Sequence, residues 1–426
     1  MIILGIESSC DDTSVALIDI TDKRIEILAE KTASQIEVHK KYGGVVPEIA
    51  GRLHAEKILP VIESVFAEAT PDKEVIKPDV IAVTSGPGLI TGLLVGVEAS
   101  KTLSYLWNVP IVSVNHIEGH IHSVQIQNHK SKIVNKFNYP VLSLVASGGH
   151  SEIILSTEEG KYEKIGGTCD DAAGECFDKV AKLLGFDYPG GPKISQFAET
   201  GNPEAIKFPR PMIDSDNFDF SFSGLKTSAL YWLRDNDPIV IPTVTNEERV
   251  SEADRVSPKA LAVAQGSLSY TPTNLKLKAK AEPKAKGSLG GACPAVRCSE
   301  ELSGSRRERS RRARDDIDLN DFCASFEQAI VDLLVFKTLK AVKEHKPKTV
   351  ILGGGVSANK KLRTTLEGGI KKQSPLSTFC FPLSTYCMDN ATMIAVAAYH
   401  HAKSKDFTNW KDLEANPNWK VYEKNT

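Results

Sequence analysis

The chain has 426 residues, a net charge of −2, and 41% hydrophobic and 25% charged residues. That length and apolar share suit two domains with real cores, and the near-neutral charge excludes a generally basic nucleic-acid coat. No run reaches membrane-spanning length, the first residues read as a strand and not as a signal peptide, and eight cysteines without a Cys-x-x-Cys pair indicate neither a zinc ribbon nor a disulfide framework, so reduced thiols in a cytoplasm are expected.

In chain order, an apolar strand at 2–7 turns through Ser8, Ser9, Cys10, Asp11 and Asp12 into an alternating run at 15–18. This predicts a β-hairpin whose turn carries hydroxyls and acids. Helical periodicity follows at about 47–69, where Pro60 predicts a kink, then at 89–107, 116–126, 172–185, 192–200, 223–234, 318–345, 357–369 and 389–403. Strand-like runs at 80–84, 111–114, 140–146, 151–155, 349–352 and 378–382 alternate with these, which argues an α/β fold. The polar run from His129 to Lys132 marks the division between an N-terminal lobe, 1–137, and a C-terminal lobe, 138–426. Residues 236–316 leave this rhythm: they are dense in lysine and arginine (SRRERSRRAR at 305–314), poor in aromatics, and expected to be a disordered basic insertion without a catalytic role.

Three turns share one style. Besides the acidic turn at 8–13, strands run into VASGGH at 145–150 and GGGVSAN at 353–359. Such glycines let backbone N–H groups approach an anion closely. None is a Walker A loop or a dinucleotide fingerprint. Repeated in two halves of one chain, they suggest the two-lobed actin/Hsp70/sugar-kinase-like (ASKHA) fold, with a cleft between the lobes. His116 and His120, four residues apart, share one helix face and reach one metal ion. A carboxylate from far along the chain, Asp389, completes a two-histidine, one-carboxylate face with open positions. On spacing alone, two solvated histidines remain the blander reading.

The stretches GIESSCDDT at 5–13, YGGVVPE at 42–48, SGPGL at 85–89, NHIEGH at 115–120, SGGH at 147–150, DDAAGE at 170–175, DYPGGP at 187–192, FSFSGLK at 220–226, GGGVSAN at 353–359 and Asp389-Asn390 occur in this order. Together they resemble the tRNA N6-adenosine threonylcarbamoyltransferase family in its bacterial and organellar branch (bacterial TsaD), over nearly all of the chain except 236–316. The resemblance implies transfer of a threonylcarbamoyl group from threonylcarbamoyl-AMP to N6 of adenosine 37 in tRNAs reading ANN codons, with release of AMP. It also implies one divalent metal per subunit on His116, His120 and Asp389, with Fe(2+) first and Zn(2+) as the alternative. Substrate contacts carried over by motif are Val145, Ala146, Ser147, Gly148 and Gly149 at the phosphate or oxyanion, Asp178 and Gly191 at the sugar, and Asn359 at the adenine, where an N-cap role is equally compatible. Asp12 is the candidate proton acceptor, with turn chemistry as the alternative. Cys10 reads as a packing residue, Lys226 as a solvated lysine or a phosphate contact, and His122 as a surface or outer group. Lysines at 130–136 and basic residues at 343–372 are candidate tRNA contacts. The expected partners are tRNA, an inactive TsaB-like paralogue with a small TsaE-like ATPase, or a second copy as a homodimer, and no membrane. A metallo-endopeptidase is disfavoured because Glu118 sits two residues after His116, not directly after it. A chaperone or small-molecule kinase needs no His-His-Asp face, and retention of all three ligands argues against an inactive structural protein.

Overall fold

The computed structural model describes residues 1–69, 76–126, 130–132, 137–236 and 318–423. The expected insertion lies outside them, apart from Asn236, which caps a helix. These described residues form one compact unit.

The first sheet begins as expected. β1 (Ile2–Glu7) pairs antiparallel with β2 (Asp12–Thr21), Ile6 opposite Val15 and Glu7 opposite Ser14. β3 (Arg24–Ser34) and β6 (Lys130–Lys132) extend that edge, while β4 (Val80–Gly86) and β5 (Ile111–Asn115) run parallel on the other side, in the order β5-β4-β1-β2-β3-β6. Alternation in β1 serves two layers. Leu4 and Ile6 pack with Ile58, Ile62 and Val65 of α2 (Pro47–Ala69) and Val97 of α3 (Ile90–Trp107). Ile3 faces the opposite core with Met393, Ile394 and Tyr399. Ahead of α2 lies a single turn, α1 (Ile36–His39), and after β5 comes α4 (His116–His122). Pro60 lies inside α2, which continues through it.

The second sheet repeats the connectivity. β7 (Val141–Ala146), β8 (Ser151–Glu158) and β9 (Lys161–Gly167) form an antiparallel meander. α5 (Ala173–Leu183), α6 (Gly190–Ala198), α7 (Ser223–Asp235) and α8 (Leu319–His345) follow. β10 (Thr349–Gly353) then adds parallel to β7, α9 (Lys360–Gln373) crosses over, and β11 (Thr378–Cys380) adds parallel to β10. A meander flanked by two parallel strands therefore occurs twice, giving the two-lobed ASKHA fold. The last helix, α10 (Ala391–Lys403), returns to the first sheet and covers the face that carries Ile3. Gly5 permits this: a Cβ there would lie 2.4 Å from the Ala391 carbonyl oxygen, so only glycine lets the start of α10 rest on β1.

Three expected helices shift at their ends. Helix 357–369 starts later, at Lys360, because Gly355–Ala358 form a 3₁₀ turn and Asn359 then caps the helix. Helix 389–403 starts at Ala391 because Asn390 caps it, which leaves Asp389 outside the helix. Helix 116–126 ends at His122 and tightens into a 3₁₀ turn. β3, β6 and β9 escaped sequence reading: in β3, Ile25, Ile27 and Ala29 are buried at alternate positions, but the charged neighbours Arg24, Glu26 and Glu30 mask the apolar signal, and β6 falls in the polar run read as a boundary.

Candidate metal centre and acyl-transfer site

β5 delivers α4 directly. The Asn115 side chain accepts from Ile117 N at 2.9 Å, so the helix is capped at the residue before His116. His116 and His120 then lie on one face, ring centroids 4.6 Å apart. Asp389 Oδ1 approaches from the segment ahead of α10, 3.4 Å from His116 Nε2 and 3.3 Å from His120 Nε2. Bonds of about 2.1 Å place neighbouring ligand atoms about 3–3.5 Å apart, so this spacing suits one ion. His120 is fully buried and neither ring nitrogen has a hydrogen-bond partner among the described residues. Its contact with Asp389 lacks hydrogen-bond geometry, and an orphaned buried nitrogen beside a carboxylate is what a ligand nitrogen looks like without its ion.

The electrostatics favour a cation here. Burial alone would hold His116 neutral, yet Asp389 and Glu7 outweigh it and push the imidazole up to about 10. Desolvation opposes the charge of Asp389 as well, but His116 and His120 hold its carboxyl well below the usual range. Burial keeps His120 below its ordinary value. Glu7, fully buried in β1, sits 3.0 Å from His116 Nδ1 and accepts from Thr84 Oγ1 at 2.7 Å. It thereby orients the ring from behind, as carboxylates commonly do for ligating histidines. A charged residue at a core position of an apolar strand was the available signal for Glu7, and sequence reading passed over it.

The acidic turn faces this group. Asp12 is pushed up to about 7, first by burial and then by the charges of Asp11, Asp389 and Glu7, and its Oδ1 has no hydrogen-bond partner among the described residues. Asp11 is raised by burial and by Asp389, and accepts from Tyr188 of the second lobe at 3.2 Å. Cys10 is driven well above the ordinary thiol range by burial and by Asp11, so it carries no reactive thiolate.

The other expected residues divide. Val145 and Ala146 are fully buried in β7, where Val145 pairs with Gly353 and Glu152, and Ala146 with Ser151, so their backbone is committed to the sheet. Ser147 N donates to the His150 carbonyl at 2.7 Å. Of the expected anion donors this leaves Gly148 and Gly149, whose amides have no hydrogen-bond partner among the described residues. The turn is tied to α5 by Gly174 N donating to Ser147 O. On α5, Asp178 accepts from Gly190 N at 2.7 Å and is raised to about 6 by burial, against the Gly190 and Gly191 amides. Asn359 caps α9 through Leu362 N, and its amide nitrogen donates to Ser195 Oγ and Glu327 Oε1. Lys226 is neither solvated nor free for phosphate: it pairs with Asp171. The side chains at 130–136 lie outside the description, and Arg363 is engaged internally with Ser357 O and Pro382 O.

His122 is no surface group. It is buried, with Nδ1 3.2 Å from Gln125 Oε1 and Nε2 3.2 Å from Tyr162 OH. It belongs to a second network that sequence reading missed, with Tyr162, Glu118 and His401, and together with Glu118, His400 and His401 it lines a cavity of about 370 Å³. His150 faces the first group, its ring 6.4 Å from His116, and is lowered to about 3 by burial and by His116 and His120.

A model of the TsaD family, described as tRNA N6-adenosine threonylcarbamoyltransferase, matches residues 26–396. The protein of that name from Listeria innocua serovar 6a is 37% identical over 416 residues, 98% of this chain and 95% of its own length. Its counterpart from Bacillus subtilis is 38% identical over 397 residues, 93% and 89% respectively. Among solved structures, full-length HypF in its phosphate- and nucleotide-bound form superposes with a TM-score of 0.52 at 11% identity, covering 96% of this chain and 47% of that one, a likeness of fold alone. Identity of this order along nearly the whole length makes the chain a member of the tRNA N6-adenosine threonylcarbamoyltransferase family, acyltransferases that modify tRNA.

Proposed function

We propose that the chain moves the threonylcarbamoyl group of threonylcarbamoyl-AMP to N6 of adenosine 37 in tRNAs reading ANN codons, and releases AMP. The observation that carries this reading is the convergence of His116, His120 and Asp389, with Asp12 close enough to be shifted by the charge of Asp389. The adenine amine is a poor nucleophile, so the acyl carbonyl must be held and polarised. A divalent metal on the three side chains supplies Lewis-acid polarisation and orientation. Fe(2+) is the favoured ion and Zn(2+) the alternative, since imidazole with carboxylate suits both.

The chain's own residues do the rest. The Gly148 and Gly149 amides receive the phosphate or the developing oxyanion, on a turn supported from below by Val145, Ala146 and Ser147. Asp178 and Gly191 hold the sugar, and Asn359 borders the adenine while capping α9. As N6 bonds to the carbamoyl carbon, the carbon–oxygen bond to AMP breaks and the N6 proton passes to the Asp12 carboxylate. Glu118 cannot serve a peptidase as base, because it points away from the ligands toward Tyr162 and His401.

The outer face of α2 and α3 leaves Leu59, Leu94 and Leu106 exposed, at 61%, 45% and 66%. This supports docking of a second chain there, either a TsaB-like paralogue, working with a small TsaE-like ATPase, or another copy of this protein. No helix among the described residues is long and apolar enough to cross a membrane, and a tRNA-modifying role accords with a cytoplasmic location. The test is reconstitution with adenylate synthase, partner subunits, unmodified tRNA and labelled threonine. Label enters tRNA with wild type and not with His116→Ala. No label with wild type, while a relative's enzyme works alongside, overturns the reading.

A further inference from the structure

The two histidine ligands and the aspartate come from different elements, and the covalent chain does not set their separation. α4 carries His116 and His120, whereas Asp389 precedes α10. Something must therefore hold α4 and α10 in register. We propose that Glu118, Gly119 and His401 form a clamp between these helices and act as positioning residues for the metal centre; the proposal rests on the metal reading above.

Glu118 lies between the ligand histidines in sequence, and the helical turn sends its side chain to the opposite face. It is 4% exposed. Its carboxylate accepts from Tyr162 OH at 3.0 Å and meets His401 Nε2 at 3.0 and 3.1 Å through its two oxygens. The other nitrogen of His401 is held by Asp406 at 3.0 Å, so the ring is fixed from both sides. The second contact is steric. A Cβ on Gly119 would lie 2.7 Å from Ile394 Cδ1 and 3.3 Å from Met393 Cγ, so the helices meet at that residue. Ile394 and His401 thus anchor α10 to α4 at two points, which fixes both the position and the direction of its axis. At its start, the Asn390 side chain accepts from Met393 N and donates to Met388 O, both at 2.8 Å, and so holds Asp389 at a set offset from the helix.

The pairing of Glu118 with His401 is directional, and direction is what the ligands need. Side-chain tips stand about 5–6 Å from a helix axis, so a rotation of α4 by about 20° moves them about 2 Å. That is as large as a metal–ligand bond of about 2.1 Å. An apolar contact at Glu118 would not resist this rotation. Tyr162 comes from β9, so the clamp also ties α4 to the second sheet.

The experiment is cobalt(II) binding to the full-length protein, with affinity from chelator competition and coordination from the visible d–d bands. Compared are wild type, His401→Ala, His401→Gln, whose amide reaches the place of Nε2, and His400→Ala. The last removes a neighbour that pairs with Glu159 and not with Glu118. His401→Ala is expected to lose about tenfold or more in affinity, the range typical of outer-shell groups, and to change the band envelope. His401→Gln recovers most of both, and His400→Ala matches wild type. The clamp is overturned if folded His401→Ala binds with wild-type affinity and spectrum, or if His400→Ala weakens binding equally, which would indicate packing alone. Failure of wild type to bind cobalt overturns the metal reading itself, and the clamp with it.

Discussion

On the proposed mechanism, Asp12 gives up stability for chemistry. Burial and three neighbouring carboxylates lift it to about 7, against an unfolded value of about 3.9. The folded state therefore keeps the proton that the unfolded state has already released, and Asp12 withdraws stability progressively as pH rises from about 4 to about 7. Asp12→Asn is expected to stabilise the chelator-treated protein at pH 8 by on the order of 2–4 kcal/mol, with a smaller gain at pH 5.5. Thermal melts at the two pH values test this, and a lower Tm at pH 8 would contradict it. The same substitution should lower single-turnover transfer about a hundredfold or more. The acidic turn was legible in the sequence because Ser, Cys and Asp interrupt two apolar runs. Glu7 was not, since its role depends on His116 standing 3.0 Å away from another strand's end.

At the scale of elements, the hairpin, the parallel strands and the long helices follow from periodicity. Their terminal residues follow from capping chemistry that becomes definite only once partners are in place. Asn390 is the instructive case: its side chain ends the helix one residue past Asp389 and so frees the carboxylate to face α4. Strand β3 stayed hidden for the converse reason, charged residues on its outer face diluting a clear inner alternation. α2 and α3 present a different question, because each has an inner face in the core and an outer face with exposed leucines. Leu94→Arg is expected to leave Tm within about 1–2 °C of wild type, as surface substitutions usually change stability by no more than about 0.5 kcal/mol. It should weaken self-association or capture of the paralogue at least tenfold by analytical ultracentrifugation. Unchanged association would remove this face from the reading.

At the scale of the whole molecule, the proposed metal, held by α4 and by the segment ahead of α10, would join parts of the chain far apart in sequence. An ion that binds only the folded state stabilises it by mass action, about 2.7 kcal/mol at a hundred times Kd. Chelation should therefore lower Tm by several degrees and re-added metal should restore it. His116→Ala should show no metal-dependent change, and an equal response in that variant would place the ion elsewhere. By itself the sequence determined the α/β class, the duplicated turns and the family, and it singled out His116, His120 and Asp389 as a candidate metal face, because ordered motifs and hydrophobic periods are local and survive in one dimension. Only the tertiary structure decided that α10 returns to the first sheet over Gly5, that Lys226 is paired, that Val145 and Ala146 are sealed into β7, and that Glu118 turns away from the face of His116 and His120 toward His401. Those outcomes depend on which surfaces meet at distances of a few ångströms, and long-range packing of that kind leaves no period in the chain.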